Sequence, residues 1–301
     1  MKQIPILLLC FIFAAIPAHA GDPGSSGGVF LKLGVDGRAI AMGEAQTGLA
    51  DNVNSLFWNP AGLDRVEGLQ LAFMHNFHFM SMHHDFLGIA SPIGNRGTIG
   101  LAIFYWTSGT IEGMDEKALP TSDFSAWDLA AGIYYANQLT PDLSVGLGLK
   151  AVMESNEDEG ATAFAGDAGI LFSPPLAGVT LGMSVKNLGT RLKLVEDSYP
   201  LPVTVRLGAG WKPPLAGASL VSDVEIATDD TPSLSVGGEY AIMGLFALRT
   251  GYKTSSDLGA ASAVMSNART RRTALGLLLP VTSTHPMQAY RPATTICERS
   301  K

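Results

Sequence analysis

The sequence predicts an all-β fold, a transmembrane antiparallel β-barrel. Three observations lead to this prediction: an alternation of apolar and polar residues, an unusual composition, and an export signal that no membrane-spanning helix follows. Of the 301 residues, 47% are hydrophobic and only 16% are charged, while glycine occurs 34 times. A typical soluble domain is about 25% charged, so this chain has too few charges to cover a soluble surface. The net charge of −7 argues against a nucleic-acid partner, which needs a basic face.

The alternation has a period of two, and it decides the fold class. In 143–154, every second position is apolar, and most of the positions between are glycine, serine or a charged residue. Segments 179–186, 201–212 and 245–253 repeat this pattern. Strands that cross a bilayer need about 9–11 residues, whereas strands of globular proteins average about 5–6. The sequence predicts eleven such strands: 69–79, 85–92, 98–108, 125–138, 143–154, 161–173, 179–187, 201–212, 216–228, 232–241 and 244–253.

The connections between these segments differ in length. Most are short turn signals, which we expect to face the periplasm, whereas 109–124 and 188–200 are longer and predict exterior loops. A periplasmic all-β protein is the alternative interpretation, and it would have shorter strands and more surface charge.

The N-terminus predicts export. Residues 1–20 combine a positive Lys2, an apolar core over 4–16 and a small-residue cleavage site at Ala18-His19-Ala20, as in a secretory signal peptide. No later segment has about 18 consecutive apolar residues, so no transmembrane helix is predicted. The mature chain would then retain a single cysteine, Cys297, and no internal disulfide. The expected location is the cell outer membrane.

The block 36–63 does not alternate and contains three distinctive runs. These are 37–39 (Gly-Arg-Ala) followed by 42–45 (Met-Gly-Glu-Ala), then 50–54 (Ala-Asp-Asn-Val-Asn), then 58–63 (Trp-Asn-Pro-Ala-Gly-Leu). In order and spacing they resemble the opening of the PorV/PorQ family, outer-membrane proteins related to the FadL fatty-acid transporters. Later segments, such as 185–189 (Val-Lys-Asn-Leu-Gly) and 248–253 (Leu-Arg-Thr-Gly-Tyr-Lys), are also similar, so the resemblance covers about 27–260.

The resemblance implies a barrel of about fourteen strands over 68–260, with 21–67 folded inside it as a partly helical N-terminal plug. FadL-like members pass hydrophobic molecules across the outer membrane, whereas PorV-like members serve type IX secretion as shuttle or docking components. The polar residues of the block would contact the lumen wall. The predicted plug and lumen contacts are Arg38, Glu44, Asp51, Asn52, Asn54, Asn59 and Pro60.

The expected function is therefore non-enzymatic: moving or docking cargo at the outer membrane. The expected partners are outer-membrane lipid and either a hydrophobic small molecule or secretion-system proteins. A structural porin-like protein and a periplasmic all-β binding protein remain as alternatives. No catalytic residue, cofactor or metal site is predicted, because no nucleophile elbow, phosphate loop or zinc signature occurs. The histidines 75, 78, 83 and 84 are not spaced as strand ligands, and the acidic run 154–159 lacks the spacing of an EF-hand.

The last segment, 261–301, differs from the rest of the chain. After Met265 it contains six basic residues and one acidic residue, Glu298, and it lacks the alternation. We interpret this atypical basic tail as an out-of-frame end, and a natural basic extension is the alternative.

Overall fold

The chain, described from a computed structural model, forms a twelve-stranded antiparallel sheet whose inner face is covered by the N-terminal segment. The structure describes residues 24–254, apart from 79, 116, 118, 157–158, 195–196 and 244–245, together with 264–265. The predicted signal peptide and almost all of the basic tail lie outside these residues.

Neighbouring strands of the sheet follow one another along the chain, except that β7 pairs with β10. The strands β8 and β9 form a separate two-stranded hairpin between them. The ends of the sheet, β1 and β14, do not pair with each other within the described residues. The strands are β1 (Gln70–Phe77), β2 (His83–Pro92), β3 (Thr98–Thr107), β4 (Ala126–Thr140), β5 (Leu143–Asn156), β6 (Glu159–Phe172), β7 (Val179–Gly189), β8 (Leu192–Leu194), β9 (Asp197–Tyr199), β10 (Thr204–Trp211), β11 (Ala218–Ala227), β12 (Ser233–Ile242), β13 (Phe246–Lys253) and β14 (Val264–Met265).

The predicted all-β barrel fold is confirmed, and each of the eleven predicted segments overlaps one strand of the main sheet. One boundary differs notably: the strand predicted over 201–212 begins only at Thr204. Leu201 is buried in the apolar core, and the carbonyl of Pro202 accepts a hydrogen bond from Asn187 Nδ2 at 2.8 Å. Residues 201–203 continue the alternation of β10, so the pattern alone does not show that the strand begins only after them.

The outer face of the sheet is a belt of exposed apolar side chains. Such a continuous exposed apolar surface is rare on monomeric soluble proteins and is typical of a protein in lipid. Its members include Leu71, Phe73, Leu87, Ile89, Leu101, Ile103, Ile133, Leu147, Leu149, Phe164, Leu220, Leu234 and Leu248.

The connections separate into two ends of the sheet. At one end, here called the short-turn end, the strands are joined by residues 93–97, 141–142, 173–178 and 212–217. The other end, here called the long-loop end, carries residues 78–82, 108–125, 190–203 and 228–232, and the hairpin β8–β9 lies within the third of these.

The N-terminal segment consists of short helical turns. The helices are α1 (Gly37–Ala41) and α2 (Ser55–Trp58), with 3-10 turns at Val29–Lys32 and Pro60–Arg65. The Asp36 side chain caps α1 by accepting from Arg38 N, and Asn59 caps the second 3-10 turn by accepting from Ala61 N. No helix within the described residues is long and apolar enough to cross a membrane.

Candidate functional site

Residues 24–66, here called the plug, lie directly against the inner face of the wall. Glycines make this close approach possible, because a side chain on either surface would collide with the backbone opposite. A Cβ atom at Gly48 would lie 2.5 Å from Gly210 N, and one at Gly43 would lie 2.7 Å from Tyr252 N. Further wall glycines that face the plug in this way are Gly146, Gly169, Gly182, Gly208, Gly237 and Gly251. The high glycine content therefore has a structural role in accommodating the plug.

On strands β1–β6, here called the apolar half of the wall, the plug is held by hydrophobic packing. The Phe57 ring lies 5.7 Å from the Phe104 ring and 4.8 Å from the Trp58 ring. Leu56, Leu63 and the wall residues around them belong to the same buried cluster, whose wall members include Phe86, Ala102, Tyr134, Val152 and Ala163.

On strands β10–β13, here called the charged half, the plug is held by ion pairs and hydrogen bonds. Arg38 Nη2 lies 3.1 Å from Glu239 Oε1, and Lys253 Nζ lies 2.8 Å from Glu44 Oε2. The buried Asp223 Oδ2 accepts from the backbone N–H groups of Gln46 and Thr47, both at 2.8 Å. Each contact joins one plug group to one wall group in a defined geometry.

The structure places five of the predicted site residues against the wall. Arg38 and Glu44 reach the charged half as described, and Asp51 Oδ2 pairs with Lys212 Nζ at 2.9 Å. Asn59 Nδ2 donates to the carbonyls of Thr47 and Ile170, both at 3.1 Å. Pro60 packs on Gly146 of β5.

The other two predicted residues make their hydrogen bond within the plug, where Asn52 Oδ1 accepts from Asn54 N at 2.9 Å. Sequence reasoning missed the wall partners of the plug, such as Asp223 and Glu239. Their signal in the sequence was an acidic residue on the strand face opposite the exposed apolar residues.

Burial and neighbouring charges shift the acidity of the plug residues. Burial alone would raise the pKa of Asp51, but the charges of Arg38 and Lys212 outweigh it and lower the pKa to about 2. Asp36 has the opposite outcome, because burial raises its pKa despite the nearby Arg38. Asp51 therefore stays ionised and holds both cations at any physiological pH.

A buried polar cluster lies in the wall on strands β4–β7, within the apolar half and beside it. Lys150 Nζ contacts both carboxylate oxygens of Asp167 at 2.8 Å, and Tyr134 OH donates to Asp167 Oδ2 at 3.2 Å. Asn187 has a positive φ of 63° at a register shift between β6 and β7, and its N–H also donates to Asp167 at 2.8 Å. The register shift between β6 and β7 is therefore held in place by the Asp167 carboxylate, both of whose oxygens accept hydrogen bonds.

Two cavities lie on opposite sides of the wall near this cluster. On the inner side, a space of about 10 Å³ lies between the plug and the wall. It is lined by Leu31, Leu56 and Phe57 of the plug and by Phe104, Tyr134, Lys150, Asp167 and Lys186 of the wall. On the lipid side, a groove of about 760 Å³ crosses β3–β6. The groove is lined by Leu101, Ala102, Ile103, Ala131, Gly132, Ile133, Leu149, Lys150, Ala151, Phe164, Ala165, Gly166 and Leu188. Lys150 borders both spaces, so only the sheet itself separates them.

At the long-loop end, the β8–β9 hairpin covers the beginning of the plug. Leu192 is completely buried and packs beside Gly27, whose N–H donates to the Pro200 carbonyl at 3.0 Å. Nearby, Lys32 Nζ pairs with Asp229 at 3.0 Å. The plug is therefore held at this end as well as along the wall.

The histidines of β1 and β2 are arranged differently from what their spacing indicates. His75 and Asp85 are opposite each other in the sheet and in direct contact, with His83 Nε2 3.7 Å from Asp85 Oδ2. Among the described residues, no three His, Cys, Asp or Glu side chains form a group that could hold a metal ion.

Solved structures with a similar fold are transporters. The toluene transporter TodX of Pseudomonas putida aligns with a TM-score of 0.55 and 14% identity, over 84% of this chain and 91% of that chain. The toluene transporter TbuX of Ralstonia pickettii aligns with a TM-score of 0.55 and 12% identity, over 78% of this chain and 88% of that chain. The CymD monoaromatic hydrocarbon channel aligns with a TM-score of 0.54 and 13% identity, over 73% and 83%.

This chain has their fold. Together with the exposed apolar belt, that fold places the protein in the outer membrane, as the sequence predicts. No protein-family model matches the sequence, and no curated protein matches it either.

Proposed function

We propose that this outer-membrane protein passes small hydrophobic compounds across the outer membrane without chemically changing them. The fold it shares with channels named for toluene and monoaromatic hydrocarbons supports this role. We expect the long-loop end to face the exterior of the cell, since the longer loops of outer-membrane barrels do so.

The observation that carries the proposal is the apolar groove on the lipid side of the wall at β3–β6, with the small inner space on the other side of the sheet. The outer groove is lined almost entirely by apolar residues and opens onto lipid, whereas the inner space is bordered both by apolar residues and by the buried charged side chains of Lys150, Asp167 and Lys186. Each Å² of apolar surface that leaves water contributes about 25 cal/mol of favourable free energy. An apolar molecule is therefore more stable in the groove than in water. The arrangement supports a route along the apolar half of the wall and out through the groove.

The inner space has room for about one water molecule. A compound as large as toluene therefore needs the plug to shift before it can pass. The same filling of the lumen disfavours an open structural porin, and the exposed belt disfavours a soluble periplasmic binding protein.

Uptake by intact cells tests the proposal, because the native outer membrane resists hydrophobic compounds. We expect cells that express the protein to take up radiolabelled toluene several-fold faster than cells that lack it. Equal rates in the two strains would contradict transport.

A pair of substitutions tests the route. Ala151→Phe fills the groove from the lipid side, and we expect it to lower the uptake rate several-fold. Ala168→Phe, on the same face but outside the groove, is the matched control and should stay within about twofold of the wild type. Equal effects of the two substitutions would remove the groove from the route.

Membership of the PorV/PorQ family and a docking role in type IX secretion form a second candidate. Its support is the resemblance of the runs at 37–45, 50–54 and 58–63. The two candidates differ in what deletion of the gene removes: a hydrophobic uptake activity in one case, and a secreted protein in the other.

A further inference from the structure

A row of five side chains crosses the inner face of the wall at the long-loop end. Strand register places Asn76 opposite His84, His84 opposite Trp106, Trp106 opposite Asp128, and Asp128 opposite Glu154. All five have even numbers in strands whose even-numbered residues face the plug, as Ala72, Phe86, Phe104, Ala130 and Val152 do.

The row contains two carboxylates side by side. Like charges that are directly opposite in a sheet destabilise it, and Asp128 and Glu154 are also half-buried. Neither has a basic partner among the ion pairs of the described chain. Glu154 accepts one hydrogen bond, from Gly28 N of the plug at 2.5 Å, which leaves its charge uncompensated. A cation between the two carboxylates would remove this repulsion.

Trp106 is the next member of the row and favours an organic cation. An ammonium group within about 6 Å of an indole ring is attracted to its face, most strongly where water is excluded. Trp106 is half-buried and packs against the apolar cluster beneath it. A metal ion would gain little here, since Ca²⁺ takes six to eight oxygen ligands and an indole supplies none.

His84, on the other side of Trp106, is an independent sign of a ligand. Its side chain is only 1% exposed, and neither ring nitrogen has a hydrogen-bond partner within the part of the chain that the structure describes. Leaving such a group unpaired costs about 1–3 kcal/mol. His84 and Asp128 lie two strands apart, which is about 10 Å. One ligand that reaches both must therefore be a polyatomic molecule and not a single metal ion.

We propose that Asp128, Glu154, Trp106 and His84 form a binding site for an organic cation at the long-loop end. The ammonium group lies between the two carboxylates, an apolar body lies on Trp106, and a polar group at the far end bonds to His84. The site is distinct from the groove and the small cavity of the transport route, so it stands whether or not hydrophobic compounds are transported.

Three related compounds test the proposal by titration calorimetry of the purified full chain in detergent at pH 7. Tyramine carries an ammonium group, a ring and a hydroxyl group, 4-ethylphenol lacks the ammonium group, and phenethylammonium lacks the hydroxyl group. We expect 4-ethylphenol to bind at least tenfold more weakly than tyramine, and phenethylammonium several-fold more weakly.

Substitutions locate the site. Asp128→Asn and Glu154→Gln should each weaken tyramine binding about tenfold and leave 4-ethylphenol within twofold. The matched control is Asp123→Asn, an exposed carboxylate at the same end, which should leave both affinities unchanged. Because Asp128→Asn also removes the like-charge pair, it should raise the melting temperature of the ligand-free chain, which separates lost binding from lost folding.

Several outcomes would overturn the proposal. These are equal affinities for tyramine and 4-ethylphenol, an equal loss of tyramine binding in the Asp123→Asn control, or calcium chloride binding more tightly than tyramine with the same dependence on Asp128. None of them bears on toluene uptake, so this inference and the transport proposal fail separately.

Discussion

The plug meets the two halves of the wall through different forces. Against β1–β6 it buries aromatic and aliphatic side chains, and against β10–β13 it forms ion pairs and hydrogen bonds. Hydrophobic packing is non-directional and needs no charge, whereas ion pairs depend on pH and are screened by salt. The comparison suggests that the apolar half supplies most of the stability and the charged half sets the position of the plug.

The same difference bears on movement of the plug. Water that enters between the plug and the charged half can replace the partners of its charges, while the apolar half must remain covered by protein or by an apolar cargo. We therefore expect displacement of the plug to begin along β10–β13.

The largest effect is expected for Phe57→Ala on the apolar half. Removing a buried phenylalanine costs about 3–5 kcal/mol of the free energy of unfolding, through lost burial and the cavity that remains. Phe57→Leu, which keeps most of the volume, should cost less than about 1.5 kcal/mol. Urea unfolding of the detergent-solubilised protein measures both. Losses of similar size for the two variants would contradict tight packing at this position.

A smaller effect is expected for Arg38→Met on the charged half. Arg38 bonds to both Glu239 and Asp51, and hydrogen bonds to charged groups contribute about 1.5–3 kcal/mol. Part of this loss should disappear at 1 M salt, where the screening length is about 3 Å. The exposed Arg191→Met is the control and should cost little at either salt concentration. An Arg38→Met loss that is unchanged by salt would assign Arg38 to packing instead.

The smallest effect is the pH dependence that Asp51 introduces. Its pKa is about 2 in the folded chain, against an ordinary value of 3.8. A depressed acid stabilises the fold above its unfolded pKa, so about 2 kcal/mol is fully present above pH 4 and is lost as the pH falls from 4 to 2. Asp51→Asn should flatten this part of the stability profile. A profile with the same slope in both proteins would show that Asp51 is not the group responsible.

The sequence predicted the strands well because each one carries its own period-two signal. In 143–154, for example, the pattern is complete within the segment, and β5 covers it. The glycines between the apolar positions of the strands allow the plug to approach the wall closely, as Gly48 against Gly210 shows.

The pairing between plug and wall could not be read in the same way. Arg38 and Glu239 are 201 positions apart, and the sequence near either residue does not indicate that the two form an ion pair. The β8–β9 hairpin was also missed, because three-residue strands are too short to show a period. Site residues depend on register and on the path of the plug, and both are properties of the folded barrel.

The most direct test of the account is to tie the plug to the hairpin that covers it. A Cβ atom at Gly27 would lie 3.3 Å from Tyr199 Cβ, close to the separation that a disulfide spans. In a Cys297→Ser background, the Gly27→Cys/Tyr199→Cys pair should abolish toluene uptake when oxidised and restore it on reduction. The two single-cysteine variants should remain active under the same oxidant. Full uptake by the oxidised, cross-linked pair would contradict the claim that the plug must move for a hydrophobic compound to pass.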